Sequence, residues 1–150
     1  MAPSEFIVKD TNPKDFLASK KVPIHVIPFQ VLGELGLALL EGSLKYGAYN
    51  WRVAGVRASV YMDAQVGRHL AAWWEGEDID SESGLSHITK AIAGLVILKD
   101  SMIQGNMKDD RPPKGKQGYI QELNQKAAEI IAKYPDAKEP YTQLNTEKKA

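Results

Sequence analysis

The run EGEDIDSE at residues 75–82 places five acids in eight residues with no base among them, and a histidine stands on either side of it, at His69 and His87. Clustered carboxylates repel one another unless a cation or the positive end of a helix neutralises them. A bound divalent ion is one answer. The other is capping, in which Asp80 or Ser81 caps the next helix, Glu82 favours its dipole, and Glu75, Glu77 and Asp78 are solvated. The pattern alone favours capping, and a lone helical histidine is more often a hydrogen-bonded structural residue than a ligand.

Two more acids, Glu34 and Glu41, lie seven residues apart in the most apolar segment. At 100° per residue they fall within about 20° of one helix face, with Lys45 one turn further on. The plain reading is a solvated face with an ordinary Glu41–Lys45 pair. The sharper one starts from Glu34, which interrupts the apolar stretch 31–40 and so predicts a buried carboxylate that needs a cation. The segment KYGAYNWR, residues 45–52, brings together Tyr46, Tyr49, Trp51, Asn50 and two cations, a set able to stack on a base and steady phosphates. The alternative is a packed loop anchored by Trp51.

The chain has no cysteine, which excludes disulfides, thiol nucleophiles and thiolate metal sites. Carboxylate and imidazole remain as strong metal ligands, pointing to a hard ion, Mg2+ or Mn2+. Nineteen basic and nineteen acidic side chains cancel, which argues against a nucleic-acid partner. The longest purely apolar run, residues 91–98, is far too short for a bilayer, and the N-terminus lacks the apolar core of a signal peptide. The chain is therefore expected to have no membrane partner and to be cytoplasmic. Neither a Walker loop, a dinucleotide fingerprint, HExxH nor GxSxG occurs.

The elements that must hold these residues are helices. Residues 1–28 read as an extended arm punctuated by Pro3, Pro13, Pro23 and Pro28, with one short helix over 13–18 capped by Asn12. Helical periodicity then predicts a helix over 29–46 stopped by Gly47, a loop at 47–55, and a second helix over 59–74 with Val60, Ala64, Gly67, Ala71 and Trp74 on its packed face. After the acidic turn, a third helix runs from about 83 to 104, and a fourth, amphipathic helix spans 119–133. The expected organisation is one all-α domain over 1–134, with the arm at 1–28, core 29–105, linker 106–118 and last helix 119–133, followed by a polar tail at 135–150. Apolar faces on both sides of the third helix exceed what one small bundle covers, so a homodimer or homotetramer is expected.

NPKD near the start, KYGxxNW, and RHLxAWWxGExxDxESGLxH leading into an apolar helix occur in that order between residues 11 and 100. Together they resemble a phage family of dATP/dGTP diphosphohydrolases, the MazZ-type members of the all-α, MazG-like nucleotide pyrophosphohydrolases. The resemblance implies a helical bundle of about four helices that uses Mg2+ or Mn2+ to cleave between the α and β phosphates of a nucleoside triphosphate. A purine deoxynucleoside triphosphate is implied as substrate, with dGTP first and dGMP as product.

MazG-like proteins usually carry ExxE on one helix and ExxD on the next. This chain instead offers Glu34 and Glu41, then Asp63 and His69, then Glu82 and His87; its literal ExxD, Glu75 to Asp78, falls in the acidic turn. On that basis Glu34, Glu41, Asp63 and Glu82 are the expected metal ligands. Lys45, Arg68, His69 and His87 form the catalytic set. Tyr46, Asn50, Trp51 and Arg52 are expected at base, sugar and phosphates, with Asn12 and Lys14 of the arm folding over them. The rival class is a non-catalytic helical phage assembly or interaction protein, in which the same acids and histidines only cap helices and cover the surface.

Overall fold

The computed structural model describes residues 12–146, so the first eleven residues of the expected arm lie outside it. Among the described residues the architecture is all-α apart from a pair of two-residue parallel strands and one isolated bridge. Asn12 accepts from Lys14 N–H at 3.0 Å and caps α1, Pro13–Ala18, with Pro13 at the first helical position where its missing N–H costs nothing. Helix α2, Phe29–Tyr46, ends at Gly47, whose φ of 87° suits glycine alone.

The loop expected at 47–55 contains a further helical turn, α3, Asn50–Ala54. It leads into β1, Val56–Arg57, which pairs in parallel with β2, Met107–Lys108, Val56 opposite Met107. Two-residue strands of this kind leave too short a pattern to detect by period.

Residues 58–74 form one continuous helical stretch of unusual inner structure. Helix α4, Ala58–Met62, passes into a π-helical segment, Asp63–Leu70, and then into α5, Ala71–Trp74. Ala71 N–H bonds Val66 O, five residues back, so the turn is wider than in an α-helix. That widening rotates the face that packs. Val60, Gly67, Ala71 and Trp74, expected inside, are exposed, whereas the polar Gln65 is buried.

The acidic turn folds back on itself: Ile79 bridges Ser86, Asp80 N–H bonds Leu85 O at 2.9 Å, and His87 N–H bonds Asp78 O at 2.9 Å. Helix α6, His87–Gln104, therefore starts four residues later than the sequence pattern predicts, and its cap is Ser86, which accepts from Ile88 and Thr89 N–H. Asp80 and Ser81 do not cap it, because the back-folded turn carries them away from its first N–H groups.

Helix α6 is the spine on which α2, α3 and the stretch 58–74 assemble. His69 meets His87, Gln65 meets Gly94, and Val56 pairs with Met107, so the stretch 58–74 runs antiparallel to it. The buried apolar residues are small, namely Ala38, Ala58, Ala91 and Ala93 with Val56, and small side chains let helices approach closely. A Cβ on Gly94 would overlap the Gln65 amide, and one on Gly55 would overlap the Asn106 carbonyl.

Residues 112–150 form a separate compact unit. It holds α7, Tyr119–Ala132, with Lys116–Glu122 and Lys126–Glu129 ion pairs on its surface, and the short α8, Gln143–Thr146. Among the described residues, no helix is long and apolar enough to cross a membrane.

Candidate functional site

Between α2, the stretch 58–74 and the first half of α6 runs an open groove in two connected parts, both bordered by Glu41, Lys45, His69 and Lys90. One part, of about 330 Å3, is walled by Tyr46, Asn50, Trp51, Tyr61 and Gln65 against Ala93 and Gly94. The other, of about 360 Å3, is walled by Arg68, Asp80, Glu82 and His87. Aromatic and amide groups thus line one half, and cations, acids and imidazoles the other.

The helix pairing sets the centre of the second half. His69 at the end of the π-helical segment and His87 at the start of α6 face each other, with their Nδ1 atoms 2.9 Å apart. The back-folded acidic turn delivers Asp80 to the same place, and His69, Asp80 and His87 can each offer a ligand atom within 4.8 Å of the others. Burial pushes the His69 imidazole below its ordinary value, aided by His87, Lys90 and Arg68, so the ring is neutral at pH 7. Burial works to raise the Asp80 carboxyl. Hydrogen bonds from Glu82 N–H at 3.0 Å and Ser83 Oγ at 3.1 Å, with the two imidazoles, outweigh it and hold Asp80 ionised. His87 is buried, and its Nε2 has no hydrogen-bond partner; Glu77 Oε1 stands 3.4 Å away, outside bonding geometry. A neutral imidazole at His69 and an ionised carboxylate at Asp80 are the protonation states in which these groups ligate a divalent ion.

The expected residues distribute unevenly. Lys45, Arg68, His69 and His87 all line the groove, as do Tyr46, Asn50, Trp51, Glu41 and Glu82. Glu41 is engaged by two lysines, Lys45 Nζ at 2.7 Å and Lys90 Nζ at 3.4 Å, and the Lys45 bond holds its carboxyl below the usual range. Glu34 is exposed and outside the groove, so the expectation of a buried carboxylate does not hold. It shares a face with Glu41 but lies about 10 Å up the helix axis. Asp63 is likewise exposed and away from the groove, as are Asn12 and Lys14.

Arg52 is taken by a structural contact. Asp100 on α6 accepts from Arg52 Nε at 2.9 Å, Arg52 Nη2 at 3.0 Å and Trp51 Nε1 at 2.6 Å, while Asn106 Nδ2 bonds the carbonyls of Trp51 and Arg52 at 2.9 Å each. This clamp fixes α3 and so the aromatic wall of the groove. Asp80, Lys90, Gln65 and Tyr61 were not singled out as site residues by the sequence. Asp80 alone carried a signal, as a member of the acidic run; the others depend on which face the π-helical turn and α6 present.

The family model for the dATP/dGTP diphosphohydrolase, N-terminal, matches residues 11–111, more than half of the 150-residue chain, and the chain belongs to that family. A dATP/dGTP diphosphohydrolase of Salmonella phage PMBT28 is 32% identical over 91 residues, which cover 61% of this chain and 30% of the relative. The chain thus spans under a third of that relative's length in the matched region. No solved structure shows a significant match to it.

The Asp100 clamp makes a prediction with a definite sign. Arg52, Trp51 and Gln104 hold the Asp100 carboxyl at about 2, below its ordinary 3.8. A depressed carboxylate contributes stability that is present above the unfolded value and lost as pH falls through the folded one. Thermal unfolding followed between pH 5 and 2 is expected to show a midpoint that drops on acidification, and Asp100→Asn a lower midpoint at pH 7 with a shallower acid slope.

Proposed function

We propose that the groove hydrolyses a purine deoxynucleoside triphosphate, dGTP first and dATP second, to the monophosphate and pyrophosphate. The observation that carries this reading is the convergence of His69, Asp80 and His87 at one end of a groove whose other end is lined by Tyr46, Asn50 and Trp51. The name of the phage relative, dATP/dGTP diphosphohydrolase, supports the substrate class.

A divalent cation fits the donor set. Two imidazoles with one carboxylate suit Mn2+ better than Mg2+, which prefers an all-oxygen octahedron. When bound, the ion supplies charge neutralisation for phosphate oxygens and acidification of water. The chain's own residues supply the rest. Lys45, Lys90 and Arg68 offset the charge of the triphosphate and of the pyrophosphate that leaves when water adds at the α-phosphorus. Glu41, bonded to both lysines, keeps their ammonium groups at the groove. Glu77 Oε1, 3.4 Å from His87 Nε2, is placed to take up the hydrogen that remains on that ring once its Nδ1 is used as a ligand, given a small shift of the exposed Glu77 side chain. Tyr46 and Trp51 provide faces for the base, and Asn50 a polar group for base or sugar.

Incubation of the full chain with dGTP and Mn2+ is expected to yield dGMP and pyrophosphate in equal amounts, and Asp80→Asn to lower turnover on the order of 10²-fold with the helical content kept. Inorganic phosphate with dGDP as the stable product contradicts the cleavage point. No turnover of any nucleotide favours the assembly-protein class.

We also infer that the chain associates with itself. Leu37, Leu40 and Leu44 of α2 and Leu95, Val96, Met102 and Ile103 of α6 are exposed, more apolar surface than a monomer of this size usually leaves open. Light scattering is expected to report a dimer or tetramer, and a monomer at micromolar concentration contradicts the inference.

A further inference from the structure

Gln65 stands on the π-helical segment where its side chain meets α6, and it is only 5% exposed. A buried carboxamide is costly unless its donor and acceptor are matched, yet its Oε1 is buried with no hydrogen-bond partner. Helix α6 accommodates it at a second cost. Gly94, in mid-helix, leaves the space that any Cβ would take from the amide, and glycine is a poorer helix former there than alanine. Two unfavourable features thus coincide at one contact, and Gln65 lines the aromatic half of the groove with Tyr46, Asn50, Trp51 and Tyr61. An unmatched amide beside faces fit for stacking asks for a ligand with hydrogen-bonding edges.

The geometry points to Gln65 as the residue that reads the Watson–Crick edge of the purine, turned one way for a 6-amino base and the opposite way for a 6-oxo base. This rests on the nucleotide reading proposed above and adds its specificity device. A carboxamide presents an acceptor and a donor side by side. Adenine offers an N1 acceptor next to an N6 donor; guanine offers an N1–H donor next to an O6 acceptor, the same pair reversed. Half a turn about the terminal torsion of glutamine, which is broad and two-fold, exchanges oxygen and nitrogen at small cost. One side chain can therefore accept both purines, where a carboxylate or an ammonium group would favour one.

The test compares full-length parent, Gln65→Glu and Gln65→Met for Mn2+-dependent hydrolysis of dGTP and dATP, with equilibrium binding of each nucleotide alongside. A carboxylate only accepts, so Gln65→Glu can take the adjacent N1–H and 2-amino hydrogens of guanine with its two oxygens, whereas on adenine it can take only an N6 hydrogen and confronts the N1 lone pair. The ratio of kcat/KM for dGTP over dATP is expected to rise by roughly tenfold or more. Gln65→Met keeps the length without hydrogen-bonding capacity; it is expected to fold as well as the parent and to weaken both nucleotides by similar factors, through KM more than kcat. An unchanged dGTP to dATP ratio in a folded Gln65→Glu, or parent affinity for both nucleotides in Gln65→Met, overturns the assignment while leaving the hydrolase reading in place. A parent that neither binds nor hydrolyses either nucleotide overturns both.

Discussion

The close approach of the stretch 58–74 to α6 is the contact on which the rest of residues 12–111 depends. It is made by small residues, with Gly94 opposite Gln65 and Ala91 and Ala93 beside it, and it fixes where everything else falls. One end of the pairing brings His69 to His87, and the other is closed by β1 on β2 and by Asp110, which accepts from Ser59 N–H at 2.8 Å. The acidic turn joins two antiparallel helices at the histidine end, where Ile79 bridges Ser86 and Asp80 N–H bonds Leu85 O. It folds back, and Asp80 arrives beside the two rings. A larger residue at position 94 would push the helices apart and so disturb a cluster that it does not touch.

The aromatic half of the groove depends on a different constraint. Helix α3 is a single turn and has little stability of its own. Asp100 and Asn106 hold it, by bonds to the side chains and carbonyls of Trp51 and Arg52. The indole N–H of Trp51 is committed to Asp100, so in the proposed function Trp51 contributes its ring face and not a hydrogen bond. Arg52 steadies the wall, and in the same proposal the phosphate contact expected of it passes to Lys90, which was indistinguishable in the sequence from any other lysine of an amphipathic helix.

Legibility in the sequence followed the range of the physics. Helices α1, α2 and α7 were readable because each is set locally, by Asn12 and Pro13, by apolar periodicity ending at Gly47, and by an amphipathic pattern. The start of α6 was not, because the acidic run offered nearer caps and only the Ile79–Ser86 bridge shows why Ser86 takes that role. The packed face of residues 59–74 was misjudged because the expectation used the α-helical period where the chain is π-helical. For the site, chemistry-bearing motifs drew attention to His69, His87, Lys45 and the tyrosine–tryptophan segment, all of which border the groove. Glu34 was selected because it interrupts an apolar run and Asp63 by comparison with the family's pattern; Glu34 lies about 10 Å along α2 from Glu41, and Asp63 is exposed and does not line the groove although its neighbours Tyr61 and Ala64 do.

The proposal rests above all on His69, Asp80 and His87 together holding a divalent ion. Binding of Mn2+ to the full chain, followed by loss of the free-ion electron paramagnetic resonance signal, tests it without reference to catalysis. Binding by the parent is expected, with a fall in affinity of at least roughly tenfold in Asp80→Asn and in His69→Ala, each with an intact circular dichroism spectrum. Mn2+ affinity in both variants equal to that of the parent would contradict it.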